Sequence, residues 1–364
     1  MASFLSSLLF LVVLISATNA QTTPTLPIRK DPKTSQFYTT IQMGSNLAAI
    51  KAVIDLGGPF LWFACNDYAS NTYAPIPCGS TKCYAEDTLY MRDRLSVPDF
   101  SFSCMDKDFL EGLASGATGM LGLARTDISF HKQAANRFNL PDKFSLCPPS
   151  SGIGKLTVGD SPFSGSLKTT PLIINPVSTY PIYVTGEPSD EYFIDVRSIR
   201  VDGKPLAVKN SYFSIDENGV GGTKISTIRN FTALHNSIYK PFTRAFLKAA
   251  ADMKIKSIAA VPPFRACFSS DSISRTPAGP SAPVIDLVLP GNDVYWRING
   301  GNSLVEIDQK TTCLAFVDGG SNPRTSIVIG AHQLEENFLE FDLLSSQLRF
   351  SSSLLVQNNS CSRL

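Results

Sequence analysis

The feature that most constrains this chain is an element that it spells twice. The first half has Val53-Ile54-Asp55-Leu56-Gly57-Gly58, an apolar run entering a tight turn, and later Gly119-Met120-Leu121-Gly122-Leu123. The second half has Lys224-Ile225-Ser226-Thr227-Ile228 and later Ile327-Val328-Ile329-Gly330. Each half therefore pairs a turn after a strand with a later apolar-apolar-Gly segment, which points to a doubled architecture. Around these elements lie short runs bounded by Gly, Pro, Asn and Ser: Ala52 to Ile54, Phe60 to Phe63, Phe100 to Ser103, Tyr192 to Val196, Ser198 to Val201 and Ser326 to Ile329. Regular short strands with turn signals predict a mostly β body. Two stretches read as helix. One is Asp127 to Phe138. The other is Lys240 to Met253, with Pro241 near its first turn and Phe242, Phe246, Ala249, Ala250 and Met253 on one face.

Composition bounds the function. The 364 residues are 43% hydrophobic, enough for a core, and suggest two domains or one large bilobal one. Only 17% are charged and the net charge is +1, so nothing marks a nucleic-acid or anionic-membrane partner. Leu8 to Ile15 is an unbroken apolar run followed by Ser-Ala-Thr-Asn-Ala, the pattern of a signal peptide over residues 1–20. Residues 1–20 contain no Lys or Arg, and an anchored N-terminal helix is the alternative. No later stretch approaches about 20 apolar residues, so the expected mature chain, from Gln21, is secreted and free of the membrane. It keeps all 8 Cys, an even count that suits a disulfide framework, although eight allow about 105 connectivities. Zinc would want paired Cys-x-x-Cys, which the chain lacks, so neither a metal nor another cofactor is expected. Sequons at Asn230-Phe231-Thr232 and Asn358-Asn359-Ser360 are glycosylation candidates.

Several longer stretches carry a family. They are Val53 to Cys65, Gly186 to Phe193 (GEPSDEYF), Gly221 to Thr227 (GGTKIST), Ala266 to Ser269 and Val317 to Leu334 (VDGGSNPRTSIVIGAHQL). In these the chain resembles the pepsin-like aspartic proteases. It is most similar to their plant extracellular branch: the xylanase inhibitors, the xyloglucan-endoglucanase inhibitors and the extracellular dermal glycoprotein. The resemblance implies a bilobal pepsin-like fold of two β-barrel-like lobes with short helices. The expected lobes are residues 21–188 and 189–364.

Pepsin-like catalysis needs two carboxylates close together, sharing one proton because both cannot ionise comfortably side by side. Asp55 supplies one. By the resemblance, Ser226-Thr227-Ile228 stands where Asp-Thr/Ser-Gly is expected, and a serine hydroxyl cannot be the second acid or a general base. Leu56 replaces the Thr whose hydroxyl would bond across the lobe junction, and Ile228 replaces a Gly. Ser226 as a nucleophile lacks a triad motif among His131, His235 and His332. The first half is also short: Asp55 to Gly122 spans 67 positions, whereas Ser226 to Gly330 spans 104. The gap falls after Cys83, where relatives carry a Cys-rich knob and the flap that covers the substrate. A splice or gene-model artefact is the alternative origin of that gap.

The resemblance also implies pairings: Cys65 with Cys104, Cys267 with Cys313 and Cys147 with Cys361. Cys78 and Cys83 remain, and a small local bridge between them is expected. Function then shifts from cleavage to binding. The expected role is a proteolytically inactive, monomeric wall protein that inhibits microbial endoglucanases or xylanases. The rivals are an aspartic endopeptidase and a non-inhibitory wall or defence-signalling protein. An inhibitor must meet a cleft floored by two carboxylates, a target suited to the planar fork of Arg. Arg324, in Gly319-Gly320-Ser321-Asn322-Pro323-Arg324-Thr325, resembles the cleft-entering residue of the relatives. Arg275 is offset by about two positions from theirs. A loop arginine is otherwise a solvated charge. His332, Trp62 and Tyr295-Trp296 read as structural or rim residues.

Overall fold

The computed structural model describes residues 23–76, 84–178 and 187–364. Residues 1–20, where a signal peptide is expected, and Cys78 and Cys83 lie outside the described residues.

Period-2 burial builds the first lobe. In Phe37–Met43, residues Phe37, Thr39, Ile41 and Met43 are buried while their neighbours face outward, as alternation on a pleated strand requires. This strand pairs with Ala48–Asp55, which runs parallel to Gly119–Gly122. Gly119–Gly122 pairs with Leu61–Ala64, then follow Ser96–Met105 and Ala85–Tyr90, and Ala85–Tyr90 returns to Phe37–Met43. The ring closes, so this barrel leaves none of these strands as a free edge.

The second lobe repeats the central pairing. Thr223–Ile225 runs parallel to Ile327–Ile329, which is antiparallel to Thr232–Leu234, itself parallel to Phe316–Asp318. The doubled sequence element is therefore a doubled structural one. A shared sheet joins the lobes in the order Thr25–Lys30, Gly154–Val158, Lys143–Cys147, Leu339–Asp342, Gln347–Phe350, Lys168–Ile173. Its middle pair places Phe144 opposite Phe341, stacked at 4.8 Å and fully buried. The protein is thus mostly β and bilobal.

Both helices differ from their sequence readings at the N-terminus. The first is Phe130–Phe138, three residues shorter than expected. The second is Asn236–Asp252, starting four residues early. Its extra turn follows from His235, whose ring Nδ1 accepts the Ser237 N–H at 3.0 Å and satisfies one orphan donor. Pro241 then lies inside the helix, beyond the first turn. Ile238, Phe242, Phe246 and Ala249 form the buried stripe, but Met253 is exposed.

Three disulfides are present among the described residues: Cys65–Cys104, Cys267–Cys313 and Cys147–Cys361. The first joins the residue just after Leu61–Ala64 to Ser96–Met105, the second joins two paired strands, and the third ties the C-terminal tail to the shared sheet across 214 residues.

The first lobe is shortened between Asp55 and Gly122. Ala85–Tyr90 and Ser96–Met105 form a hairpin turning at Met91–Leu95. Leu89 pairs with Met43, and Met43 pairs with Ala48, seven residues before Asp55. At about 3.3 Å per residue that turn lies roughly 20 Å along the strand from Asp55, so it does not cover the carboxylate. The short pairing of Ala74–Pro75 with Ala85–Glu86 joins the two sides of the gap.

Candidate functional site

Asp55 ends its strand and begins the turn. Gly57 N–H donates to Asp55 Oδ1 at 2.8 Å, and Leu123 N–H donates to the Asp55 carbonyl at 2.9 Å. The turn fits because Gly122 has no side chain: a Cβ there would lie 2.4 Å from the Gly58 and Phe60 carbonyl oxygens. Ser226 occupies the matching place in the second lobe, its N–H donating to the Ile329 carbonyl at 2.9 Å. Its Oγ accepts from the N–H of Ile228 at 3.3 Å and of Arg229 at 3.2 Å. In both lobes the first turn residue thus uses a side-chain oxygen to hold the N–H two positions on.

Between the two turns the hydroxyl exchange is made from one side only. Thr227 Oγ1 donates to the Ile54 carbonyl at 2.7 Å and accepts the Leu56 N–H at 3.1 Å. Leu56 has no hydroxyl to return the exchange, and its side chain is fully buried in the main core. Ile228 packs against Val53, Ala114 and Ala117 of the first lobe, adding apolar contact beside the Thr227 bonds.

Two charged residues join the site that sequence reasoning did not select. Glu191 Oε1 and Lys224 Nζ form an ion pair of 2.7 Å, and Ser189 Oγ donates to Glu191 Oε2 at 3.5 Å. Burial pushes the Asp55 carboxyl up to about 6; Glu191 adds to the rise, while Gly57, Gly58 and Lys224 oppose it. Lys224 was findable, because two positions before Ser226 on a strand means the same face. Glu191 comes close only through the pairing of Phe193–Ile194 with Thr223–Ile225. The site can hold one proton on one carboxyl. Ser226, with its oxygen accepting two backbone N–H groups, cannot share that proton as a carboxylate would.

The other candidates are dispersed. Arg324 is exposed, its guanidinium 3.5 Å from the Asn218 carbonyl, and its own carbonyl accepts the Gly221 N–H at 2.8 Å. It lies at the end of Ile327–Ile329 remote from Ser226. Arg275 sits in the hairpin Arg275–Thr276 with Gly279–Pro280, and its guanidinium pairs with Glu306. No described contact brings either arginine to Asp55 or Ser226. Asn230 is half-buried beside Arg229, whereas Asn358 is exposed. His332 is buried, its ring nitrogens facing Glu335 Oε1 at 3.3 Å and the Leu304 carbonyl at 2.9 Å. Trp62 is half-buried with its ring edge against exposed Phe109. Trp296 is buried, donating to Asn337 Oδ1 at 3.0 Å.

Comparison with known proteins follows the same division into halves. The family described as Xylanase inhibitor N-terminal matches residues 37–94 and 84–160, and that described as Xylanase inhibitor C-terminal matches residues 191–352. A probable aspartic proteinase GIP2 of Nicotiana benthamiana is 39% identical, covering 99% of this chain and 96% of the relative. A gamma conglutin 1 of Prunus dulcis is 31% identical over 98% of this chain and 94% of its own. The crystal structure of edgp is similar with a TM-score of 0.89 and 39% identity, covering 94% of this chain and 97% of that one. The basic 7S globulin from soybean is similar with a TM-score of 0.78 and 27% identity, covering 94% and 98%. With both halves matched and whole-length relatives at this identity, the chain belongs to the plant pepsin-like family of xylanase-inhibitor type.

Proposed function

We propose that this protein is a secreted, proteolytically inactive member of its family that binds and inhibits microbial endoglucanases or xylanases in the plant cell wall. The observation that carries the loss of proteolysis is Ser226, whose hydroxyl is engaged by the Ile228 and Arg229 N–H groups at the place matching Asp55. Losing a general acid–base group alone costs typically 10²–10⁴-fold. Binding is supported by the xylanase-inhibitor description of both matched families and by Arg324, which stands exposed on a loop with no ion-pair partner among the described residues. Arg275 is the secondary candidate, because it must first leave Glu306. The protein acts as a monomer after loss of residues 1–20.

Relatives named as probable aspartic proteinases keep the endopeptidase reading testable. Incubating the purified protein with a denatured substrate at acidic pH, with and without pepstatin, is expected to give no pepstatin-sensitive cleavage. Such cleavage would overturn the inactive reading. Titration against fungal endoglucanases and xylanases is expected to find at least one that is inhibited. Arg324→Ala should weaken that inhibition by roughly tenfold or more, the loss of a charge-assisted pair, with thermal midpoint unchanged because the side chain is exposed. A panel without inhibition, or an Arg324→Ala variant of undiminished potency, removes the inhibitor reading or the residue from it.

A further inference from the structure

We propose that Asn230 carries an N-linked glycan whose first N-acetylglucosamine units lie in the cavity between the two lobes, bridging them. The inference rests on the secretory reading above, because the sugar is transferred in that compartment. Asn230-Phe231-Thr232 is a sequon. The backbone around it is fixed: Ala331 N–H donates to the Arg229 carbonyl at 2.7 Å, and His332 N–H to the Asn230 carbonyl at 2.9 Å. The Asn230 side-chain amide, by contrast, is half-exposed and hydrogen-bonded to no described residue.

Asn230 opens onto a cavity of about 530 Å³ whose wall includes Thr34, Gln36 and Gly112 from the first lobe and Arg229, Pro263 and Asp318 from the second. That volume is within the range of roughly 300–1,000 Å³ typical of small-ligand sites. Gln36 is the decisive neighbour. It is only 6% exposed, its Nε2 donates to the Gly112 carbonyl at 3.3 Å, and its Oε1 is buried with no partner. A buried acceptor without a donor is costly, and each such group asks for an explanation. An acetamido N–H or a sugar hydroxyl supplies that donor once the Gln36 side chain turns its covered Oε1 toward the cavity. Arg229, exposed and without an ion-pair partner among the described residues, offers N–H groups to sugar oxygens. Phe231 and Pro263 supply apolar surface for a pyranose face.

Thr232 sets the timing. Its hydroxyl is buried, bonded to Gln333 Oε1 at 2.8 Å and accepting the Gly330 N–H at 3.1 Å, so the folded sequon is closed to a transferase. Transfer therefore precedes folding of the second lobe around Thr232. The Asn230 side-chain nitrogen attacks C1 of a lipid-pyrophosphate-linked oligosaccharide, forming the N–C1 bond. The C1–O bond breaks, the lipid pyrophosphate leaves with the electron pair, and the amide loses one proton.

The test is glycopeptide mapping of the full chain secreted from plant cells, with a second preparation in which an unrelated leader replaces residues 1–20. Failure of the native leader alone counts against the secretory reading; the second preparation decides the site. Asn230 is expected to be modified. Native treatment with an endoglycosidase should release its glycan about tenfold or more slowly than after denaturation, because a packed sugar is reached only through local opening. Gln36→Leu should narrow that gap while leaving occupancy unchanged, and Asn230→Gln should lower the thermal midpoint. An unmodified Asn230 in the second preparation, or equal release rates from native and denatured protein, overturns the proposal.

Discussion

At the scale of single residues, one hydroxyl of the second lobe bonds two backbone groups of the first. Thr227 Oγ1 serves the Ile54 carbonyl and the Leu56 N–H together, and Thr227 is fully buried. Thr227→Val keeps the shape and leaves both backbone groups unpaired. At about 1–3 kcal/mol for each of the two orphaned groups, equilibrium unfolding in urea should find the variant less stable by roughly 2–6 kcal/mol, with Thr227→Ser recovering most of the loss. Asp55 gives a prediction with a sign. Its carboxyl is raised by burial to about 6, so the folded state holds a proton that the unfolded state releases near pH 4. The group costs nothing below its unfolded value. Its penalty grows as pH rises from about 4 to about 6, reaching at most about 3 kcal/mol. Asp55→Asn, which keeps an acceptor for Gly57 N–H, should match wild type near pH 4 and unfold at a higher temperature at pH 7. A constant difference across that window would contradict the buried-proton account. Asp55, Leu56 and Ser226 were legible in the sequence because residue identity alone carries their chemistry. Glu191 was not: its place beside Gly57 and Asp55 depends on strand pairing between residues more than thirty positions apart.

At the scale of elements, alternation was the readable signal and termini were the unreadable part. Strands such as Ser198–Val201 fall where their burial period puts them. The helix Asn236–Asp252 starts four residues before its apolar stripe suggests, since histidine is not a residue whose type announces an N-cap. His235→Ala removes the acceptor for Ser237 N–H and the ring packed on Tyr212 at 4.4 Å. The expected cost is about 1 kcal/mol, in the usual range for a lost cap, measurable as a shift of the urea midpoint at unchanged slope. A larger slope change would mean that the helix end unfolds separately. The hairpin Ala85–Tyr90 with Ser96–Met105 was half legible. The missing length was visible in the sequence, whereas the direction of the turn, toward Met43 and away from Asp55, comes from barrel closure through Phe37–Met43.

At the scale of the whole molecule, the two lobes are held by the shared sheet, and the C-terminal tail closes over one end of it. The doubled motif announced two lobes, but nothing local in Lys143–Cys147 or Leu339–Asp342 marks them as partners across the junction. Cys147 lies on that sheet and Cys361 in the tail, both buried with Phe338 and Leu354 in a satellite cluster. The Glu336 carboxylate strengthens the same closure by accepting the Cys361 N–H at 2.7 Å and the Ser150 N–H at 2.7 Å. The bridge closes a loop of 214 residues, the longest of the three described. In the chain-entropy account such a loop restricts the unfolded state by about 5 kcal/mol. The double variant Cys147→Ala/Cys361→Ala should therefore lose that order of stability, whereas the pair Cys65→Ala/Cys104→Ala, closing a shorter loop, should lose less. Proteolysis provides the second reading. Only the Cys147/Cys361 variant should become sensitive near residues 352–364, because those residues otherwise meet the sheet through this bridge and Glu336. Equal losses in the two double variants, with an intact tail, would show that loop length does not set the bridge's contribution here.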